Sequence, residues 1–327
     1  MPLTPEQLAF RLTGVSASEI GAVAGLSPYQ SALDIWLIKR GLVTVEENRA
    51  MRMGHALEPI VADLYAADLD PAESLAMPDV VWPDSVNGTV RHSAHQWVLA
   101  SPDRVVLRDG EPVRLVEIKS VSARMAHHWG EREDDVPAGY RAQIEWQMIA
   151  TGIDNCDLVA WINGWDGPEV RTYRLTRDVG LSAMLLEIGR RFWACVEEGV
   201  EPPVDGSESW REYLARRHPR VERDIAVAAP EQEALARELL DLKAEEKRIA
   251  ARVETLENQM RAAIGAHEGM DGEGWRATWK CPSAGAPAWK TIAMKLGAEA
   301  QPDLIAEHTA PPGRRFMISA TKKRTAK

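Results

Sequence analysis

The chain has 327 residues, 45% hydrophobic and 27% charged, the balance of a globular protein with room for one large domain and appendages. It has no run of about 18 apolar residues and no basic-then-apolar leader, which argues against a membrane span or a signal peptide. Its net charge of −10 argues against a surface coated in basic residues, though not against a local basic groove. Three scattered cysteines, Cys156, Cys195 and Cys281, fit reduced side chains in a cytoplasmic protein better than a disulfide frame or a zinc site.

In chain order, Thr4-Pro5-Glu6-Gln7 predicts a helix start with Thr4 as N-cap, and Ser16-Ala17-Ser18-Glu19 is a second capping box whose helix Gly25 ends. Residues 31–40 are amphipathic and stop at Gly41; residues 46–67 predict a longer helix with Met53, Leu57, Ile60, Val61 and Leu64 at helical spacing. Short β-rich runs follow at 80–82, 97–99, 104–107 and 114–118, with the hairpin signal Asp109-Gly110 between the last two. Residues 137–150 return to helix, 157–162 and 169–175 predict two more strands, and 179–198 a helix closed by Gly199. Helices, then strands, then helices predict an α/β or α+β domain over residues 1–205.

Residues 201–230 are polar and rich in proline and read as a connector, with the linker itself at 206–230. Over 231–269 one helical pattern places Leu235, Leu242, Ile249 and Leu256 every seven residues, with Leu239, Val253 and Met260 four beyond and Glu246 breaking that second row. A long helix lying on its own domain is the preferred reading, and a coiled coil with another chain the alternative. The last segment, 270–327, carries ten Lys/Arg against five Asp/Glu, with strands and a helix expected around 275–280, 291–296 and 315–319. Its all-basic end, residues 314–327, either aids solubility or contacts phosphate.

The strongest chemical signal is Ser101-Pro102-Asp103 followed by Glu117-Ile118-Lys119. Period two along a strand puts Glu117 and Lys119 on one face, and the hairpin brings Asp103 beside them. Two carboxylates and the Ile118 carbonyl form a partial oxygen set for Mg²⁺, with Mn²⁺ a substitute. Phosphodiester hydrolysis needs a metal to neutralise the phosphate and favour hydroxide, and a cation such as Lys119 beside the reacting water. A lone Glu-x-Lys on a strand is more commonly a salt-bridged solvent edge; the upstream Pro-Asp shifts the balance. Paired histidines (His92 and His95, His127 and His128) lack zinc spacing, and Trp161, Trp165, Trp275 and Trp279 are better explained by packing than by base stacking.

The pattern Pro102-Asp103…Glu117-Ile118-Lys119 resembles the PD-(D/E)XK nuclease superfamily, and its surroundings resemble the phage lambda exonuclease, or YqaJ-like recombinase, family. Gly54-His55-Ala56-Leu57-Glu58 is similar to the family's upstream helical motif, which implies that Glu58 lies near the metal, through water. Tyr140 and Gln143, on one helix face, are similar to a supporting Tyr and an active-site Gln. The resemblance further implies that Arg11, Ser18, Ser101 and Arg124 hold a 5′ phosphate, with Arg124 one residue off the family's spacing. It implies a restriction-endonuclease-like core with a central mixed sheet flanked by helices. The implied activity is Mg²⁺-dependent 5′→3′ degradation of double-stranded DNA, leaving 3′ tails for a single-strand annealing protein in recombination. The family also implies a homotrimer, encoded by a phage or prophage and acting in the cytoplasm of a bacterial host. A restriction-like or structure-specific endonuclease on the same core, and a non-catalytic DNA-binding protein, are the alternatives.

Overall fold

In a computed structural model the described residues are 4–280, except 46, 133, 165–166 and 219–224, together with 293 and 297. The elements expected at 315–319 and, apart from residue 293, at 291–296, together with the basic end 314–327, lie outside them. The chain divides into two compact units, Met1–Leu214 and Ala215–Lys327.

The first unit opens with α1 (Pro5–Arg11), where Gln7 donates its backbone N–H to Thr4 and returns its side chain to the Thr4 amide. A two-residue strand, β1 (Val15–Ser16), leads into α2 (Ala17–Val23), opened by the expected Ser16, and α3 (Ala32–Lys39), opened by Ser31; each is followed by a glycine at positive φ, Gly25 and Gly41. Next come α4 (Arg49–Ala67), β2 (Glu73–Ala76) and the short α5 (Pro78–Val81). Residues 80–82 are thus not a strand: Pro78 sits in the first turn of a helix that uses its fixed φ and missing N–H. After β3 (Val90–Arg91) and β4 (Val98–Ala100), β5 (Arg104–Arg108) and β6 (Glu111–Val121) form the expected hairpin. Its turn residues Asp109 and Gly110 both have positive φ, as the tightest hairpins require. Then follow α6 (Ala138–Thr151), β7 (Asn155–Gly164), β8 (Gly167–Thr176), α7 (Val179–Glu198) and α8 (Glu208–Arg217). The expected linker therefore contains a helix, anchored by Trp210, which is 4% exposed in the core.

The main sheet has the order β2-β5-β6-β7-β8, with β6 and β7 parallel and every other pair antiparallel. Parallel neighbours need a crossover, and α6 supplies it. Alternate strand residues feed two cores. Val105, Leu115 and Leu158 face α6 through Ile144 and Met148; Val106, Val116 and Val159 face α4 through Val61, Ala62 and Tyr65. This is the mixed sheet flanked by helices that the resemblance implies. The buried face of α4 differs from the expected one: Met53, Ile60 and Leu64 are exposed, because the helix meets the sheet one position further round.

A third core binds α2, α3, α6 and α7 around Trp146. Its indole Nε1 donates to the Val15 carbonyl at 3.0 Å, and Gly189 of α7 lets that helix close over it, since an added Cβ would lie 2.5 Å from the ring. β1 also pairs with β4, and β4 with β3, in a small sheet on this side.

The second unit contains α9 (Pro230–Ile264) and the hairpin β9 (Gly269–Gly272) and β10 (Trp275–Thr278). The row Leu235, Leu242, Ile249 and Leu256 is exposed. No helix among the described residues is long and apolar enough to cross a membrane.

Trp146→Phe keeps most of the apolar volume but leaves the Val15 carbonyl without its donor. It should lower unfolding stability by about 1–3 kcal/mol, read as an earlier urea midpoint by circular dichroism; an unchanged midpoint would show that the indole does not tie α6 to β1.

Candidate active site

Period two carries Glu117 and Lys119 onto the face of β6 that already holds Leu115 and Val121 against α6. Asp103 immediately precedes β5, and its amide donates to the Val116 carbonyl at 3.2 Å. Its carboxylate Oδ2 accepts from the Ile118 amide at 2.7 Å. The hairpin therefore fixes Asp103 beside Glu117 through backbone geometry.

Glu117 is 3% exposed and fully engaged. Its Oε1 accepts from Lys119 Nζ and from Gln143 Nε2, the latter at 2.5 Å, and its Oε2 accepts from Gln147 Nε2 at 2.7 Å. Gln143 and Gln147 are one helical turn apart, so both amides reach the sheet together. Gln147 was not singled out from sequence. Its signal was there: two glutamines at i and i+4 in a helix whose other faces are apolar, a place where a polar side chain needs a partner. Its Oε1 is buried without a hydrogen-bond partner.

The charges settle unequally. Burial and the adjoining Glu117 carboxylate push the Asp103 carboxyl well above its ordinary value, against the opposing pull of Lys119. Burial also works against a charged Lys119, but Glu117 and Asp103 more than offset it and hold its ammonium protonated beyond the usual lysine range. Tyr140 lies under that ammonium, its ring centroid 5.6 Å from Nζ, and packs on Trp129. Glu58 on α4 lines the same cleft, with Arg104 Nη1 donating to its Oε1 at 2.7 Å. Arg104, the residue after Asp103, was also missed by sequence reading.

The cleft holds about 380 Å³, and a second set of residues shares its walls. Arg11 Nη2 donates to Ser16 Oγ at 2.7 Å and to Ser18 Oγ at 2.6 Å. Ser101 Oγ stands 2.8 Å from Thr89 Oγ1. Below Arg11, buried Lys39 donates to the Arg11 carbonyl at 2.6 Å and pairs with Glu19 at 2.7 Å, fixing the end of α1 against α2. Arg11, Ser18, Ser101, Glu58, Asp103, Glu117, Lys119 and Gln143 thus line one cleft, joined by Ser16 and Gln147. Arg124 is exposed in the turn after β6 and does not line it, and Tyr140 stands behind Lys119.

Among the described residues no three of His, Cys, Asp and Glu form a group that could hold a metal. What could hold one is smaller: the Asp103 and Glu117 carboxylates and the Ile118 carbonyl. Such a set suits an ion that keeps most of its water. Of the tryptophans considered for stacking, Trp161 packs against the sheet core, Trp275 and Trp279 are about half exposed, and Trp165 lies outside the described residues.

Residues 6–154 match the family model of the YqaJ-like viral recombinase domain. The uncharacterized protein YqaJ of Bacillus subtilis (strain 168) is 26% identical over 286 residues, covering 84% of this chain and 82% of that protein. A match of that extent cannot fit in the chain without including Pro230–Ile264, so the long helix belongs to the shared region. An uncharacterized Acanthamoeba polyphaga mimivirus protein is 28% identical over 166 residues, 47% of this chain and 28% of that protein. Among solved structures, an alkaline exonuclease (LHK-Exo) of Laribacter hongkongensis is 25% identical, with a TM-score of 0.46, covering 66% of this chain and 98% of that one.

The raised Asp103 carboxyl fixes the sign of a pH effect. A group whose folded value lies above its unfolded one costs the folded state nothing at low pH, where both states are protonated, and an increasing amount as pH rises. Without divalent metal, Asp103→Asn should therefore melt at a higher temperature than the parent at pH 8. Asparagine keeps an acceptor for the Ile118 amide, so the difference should shrink on acidification toward pH 4. Equal melting temperatures across that range would show that Asp103 is not under charge strain.

Proposed function

Residues 6–154 carry a YqaJ-like viral recombinase domain, and on that premise we propose that the chain is a metal-dependent deoxyribonuclease that degrades double-stranded DNA from 5′ ends. The observation that carries this reading is the sharing of one cleft by a carboxylate–lysine set, Asp103, Glu117 and Lys119, and a guanidinium–hydroxyl set, Arg11, Ser16, Ser18 and Ser101. The first set suits phosphodiester hydrolysis and the second suits an anionic chain end.

The crowding that lifts Asp103 is what a bound cation would relieve, and the ligand set of two carboxylates and the Ile118 carbonyl fits Mg²⁺, with Mn²⁺ as substitute. When bound, the ion would neutralise phosphate charge and make an attacking water acidic enough to react near neutral pH. With no cation bound, Glu117 and Asp103 hold Lys119 protonated, and its ammonium suits offsetting the negative charge that develops on the phosphate. Gln143 and Gln147 hold the Glu117 carboxylate in place, and Glu58 is steadied by Arg104 beside it.

Arg11 and the hydroxyls hold the terminal 5′ phosphate and so set which phosphodiester meets Lys119. Water adds to that phosphorus and the bond to the 3′ oxygen breaks. A mononucleotide leaves and the next residue keeps a 5′ phosphate. Each cut therefore regenerates the group the pocket recognises, and the 3′ tail left behind is a substrate for a single-strand annealing protein.

On an end-labelled linear duplex with Mg²⁺, Asp103→Ala, Glu117→Ala and Lys119→Ala should each abolish release of nucleotides, while Mg²⁺ raises the melting temperature of Lys119→Ala but not of Asp103→Ala. Near-parental turnover in any of the three would remove that residue from the chemistry.

Arg11→Ala should slow cleavage of 5′-phosphorylated duplex by about ten- to hundredfold, the worth of one charge-assisted contact, and change the already slow 5′-hydroxyl duplex little. Equal parental rates on both ends, with cutting of circular DNA, would replace the exonuclease with an endonuclease. No Mg²⁺-dependent cleavage at all would leave a DNA-binding protein.

A further inference from the structure

Taking Arg11, Ser16, Ser18 and Ser101 as the seat of a terminal phosphate, the reading on which this step rests, we propose that Lys39 is a positioning residue for that phosphate: it occupies Glu19 and so leaves the Arg11 guanidinium open to an anion. Lys39 ends α3, and its side chain is 1% exposed. Its Nζ donates to Glu19 Oε1 at 2.8 Å, lies 2.7 Å from Glu19 Oε2, and donates to the Arg11 carbonyl at 2.6 Å. One ammonium therefore joins the end of α1, the first turn of α2 and the last turn of α3. Neither Lys39 nor Glu19 lines the cleft, so the lysine acts through Arg11, which does.

The partners of Arg11 show what the lysine is for. Charge-assisted hydrogen bonds are about twice as strong as neutral ones, so a guanidinium prefers a carboxylate to a hydroxyl. Arg11 nevertheless donates to two hydroxyls, Ser16 Oγ and Ser18 Oγ, while Glu19 Oε1 lies 4.0 Å from its Nη2. A small turn of either side chain would join them. Glu19 is held back because both its oxygens are engaged: Oε1 by Lys39, and Oε2 by Lys39 and by the Ser16 amide at 2.8 Å. Burial works against an ionised Glu19, but Lys39 and then Arg11 more than offset it and hold its carboxyl below the ordinary range.

Without the ammonium, Glu19 is a buried carboxylate whose remaining cation is Arg11. The guanidinium would close on it, and Ser16 and Ser18 would lose their donor. An incoming phosphate would then have to displace an internal ion pair. A 5′ hydroxyl brings no charge for Arg11, so the loss belongs to phosphorylated ends.

Binding of the full-length chain is measured by fluorescence anisotropy without divalent metal, so that no strand is cut, on two duplexes that differ only in a 5′ phosphate or a 5′ hydroxyl. The readout is the ratio of the two dissociation constants. Lys39→Met should reduce the parent's preference for the phosphate by about tenfold or more, the worth of one charge-assisted contact. Adding Glu19→Gln should restore the preference, because the competitor is gone while glutamine keeps an acceptor for the Ser16 amide. A lysine that only braced α1 against α3 would not be rescued by removing its second anchor. The double variant buries no charge at either position, so it should fold even where Lys39→Met does not, and circular dichroism checks both. If the parent prefers the phosphate, a folded Lys39→Met that keeps that preference, or a double variant that lacks it, would overturn the role of Lys39 and leave the phosphate pocket in place. A parent chain that binds both ends alike would remove the pocket itself, and this role with it.

Discussion

One buried carboxylate joins the sheet to the crossover helix. Glu117 lies on β6, and both its oxygens are held by side chains from two elements, Lys119 on its own strand and Gln143 and Gln147 on α6. An ionised carboxylate out of water costs several kcal/mol unless it is paired and hydrogen-bonded. The position and rotation of α6 are therefore tied to the same group that forms the centre of the cleft. Because β6 and β7 are parallel, a helix must cross between them, and this one crosses on the face where Glu117 points.

The rest of α6 holds that geometry rigid. Residues 142–150 are all buried, since the helix fills the seam between two cores: Ile144 and Met148 belong to the sheet side, Trp146 and Ile149 to the side of α2 and α7. Glu145, the one acidic residue of the helix, is satisfied away from the cleft, by the Asp178 amide, Ser182 and Arg141. A helix packed on so many sides cannot rotate to present other residues, which leaves the two glutamines as its contribution to the site.

What the sequence made legible was local. Caps at Thr4 and Ser16, glycines after helices and the Asp109-Gly110 turn each determine their own neighbourhood, and the hairpin alone sets Asp103 against Glu117. What it hid depended on distant pairing. β1, β2 and β3 are only two to four residues long, and are strands because β4 and β5 pair with them. The rotation of α4 is set by Val106 and Val159 across the sheet, so helical spacing could not tell Val61 from Ile60 as the buried residue. The same holds in the site. Asp103, Glu117 and Lys119 announce themselves by spacing, whereas Arg104, Ser16 and Thr89 gain their places only when α4, α1 and the small sheet bring partners to them.

The distribution of charge along the cleft follows from those partnerships. Glu117 has Lys119 and Glu58 has Arg104, so each of these carboxylates meets a cation at hydrogen-bond distance. Asp103 accepts only from a neutral backbone amide among its described hydrogen bonds, and carries the strain of lying beside Glu117. Arg11 is the counterpart: its guanidinium donates to two neutral hydroxyls, and the nearest carboxylate, Glu19, is 4.0 Å away and already taken by Lys39. The cleft is thus short of positive charge at Asp103 and has positive charge to spare at Arg11. A metal ion and a terminal phosphate have the charges that correct both, one at each place.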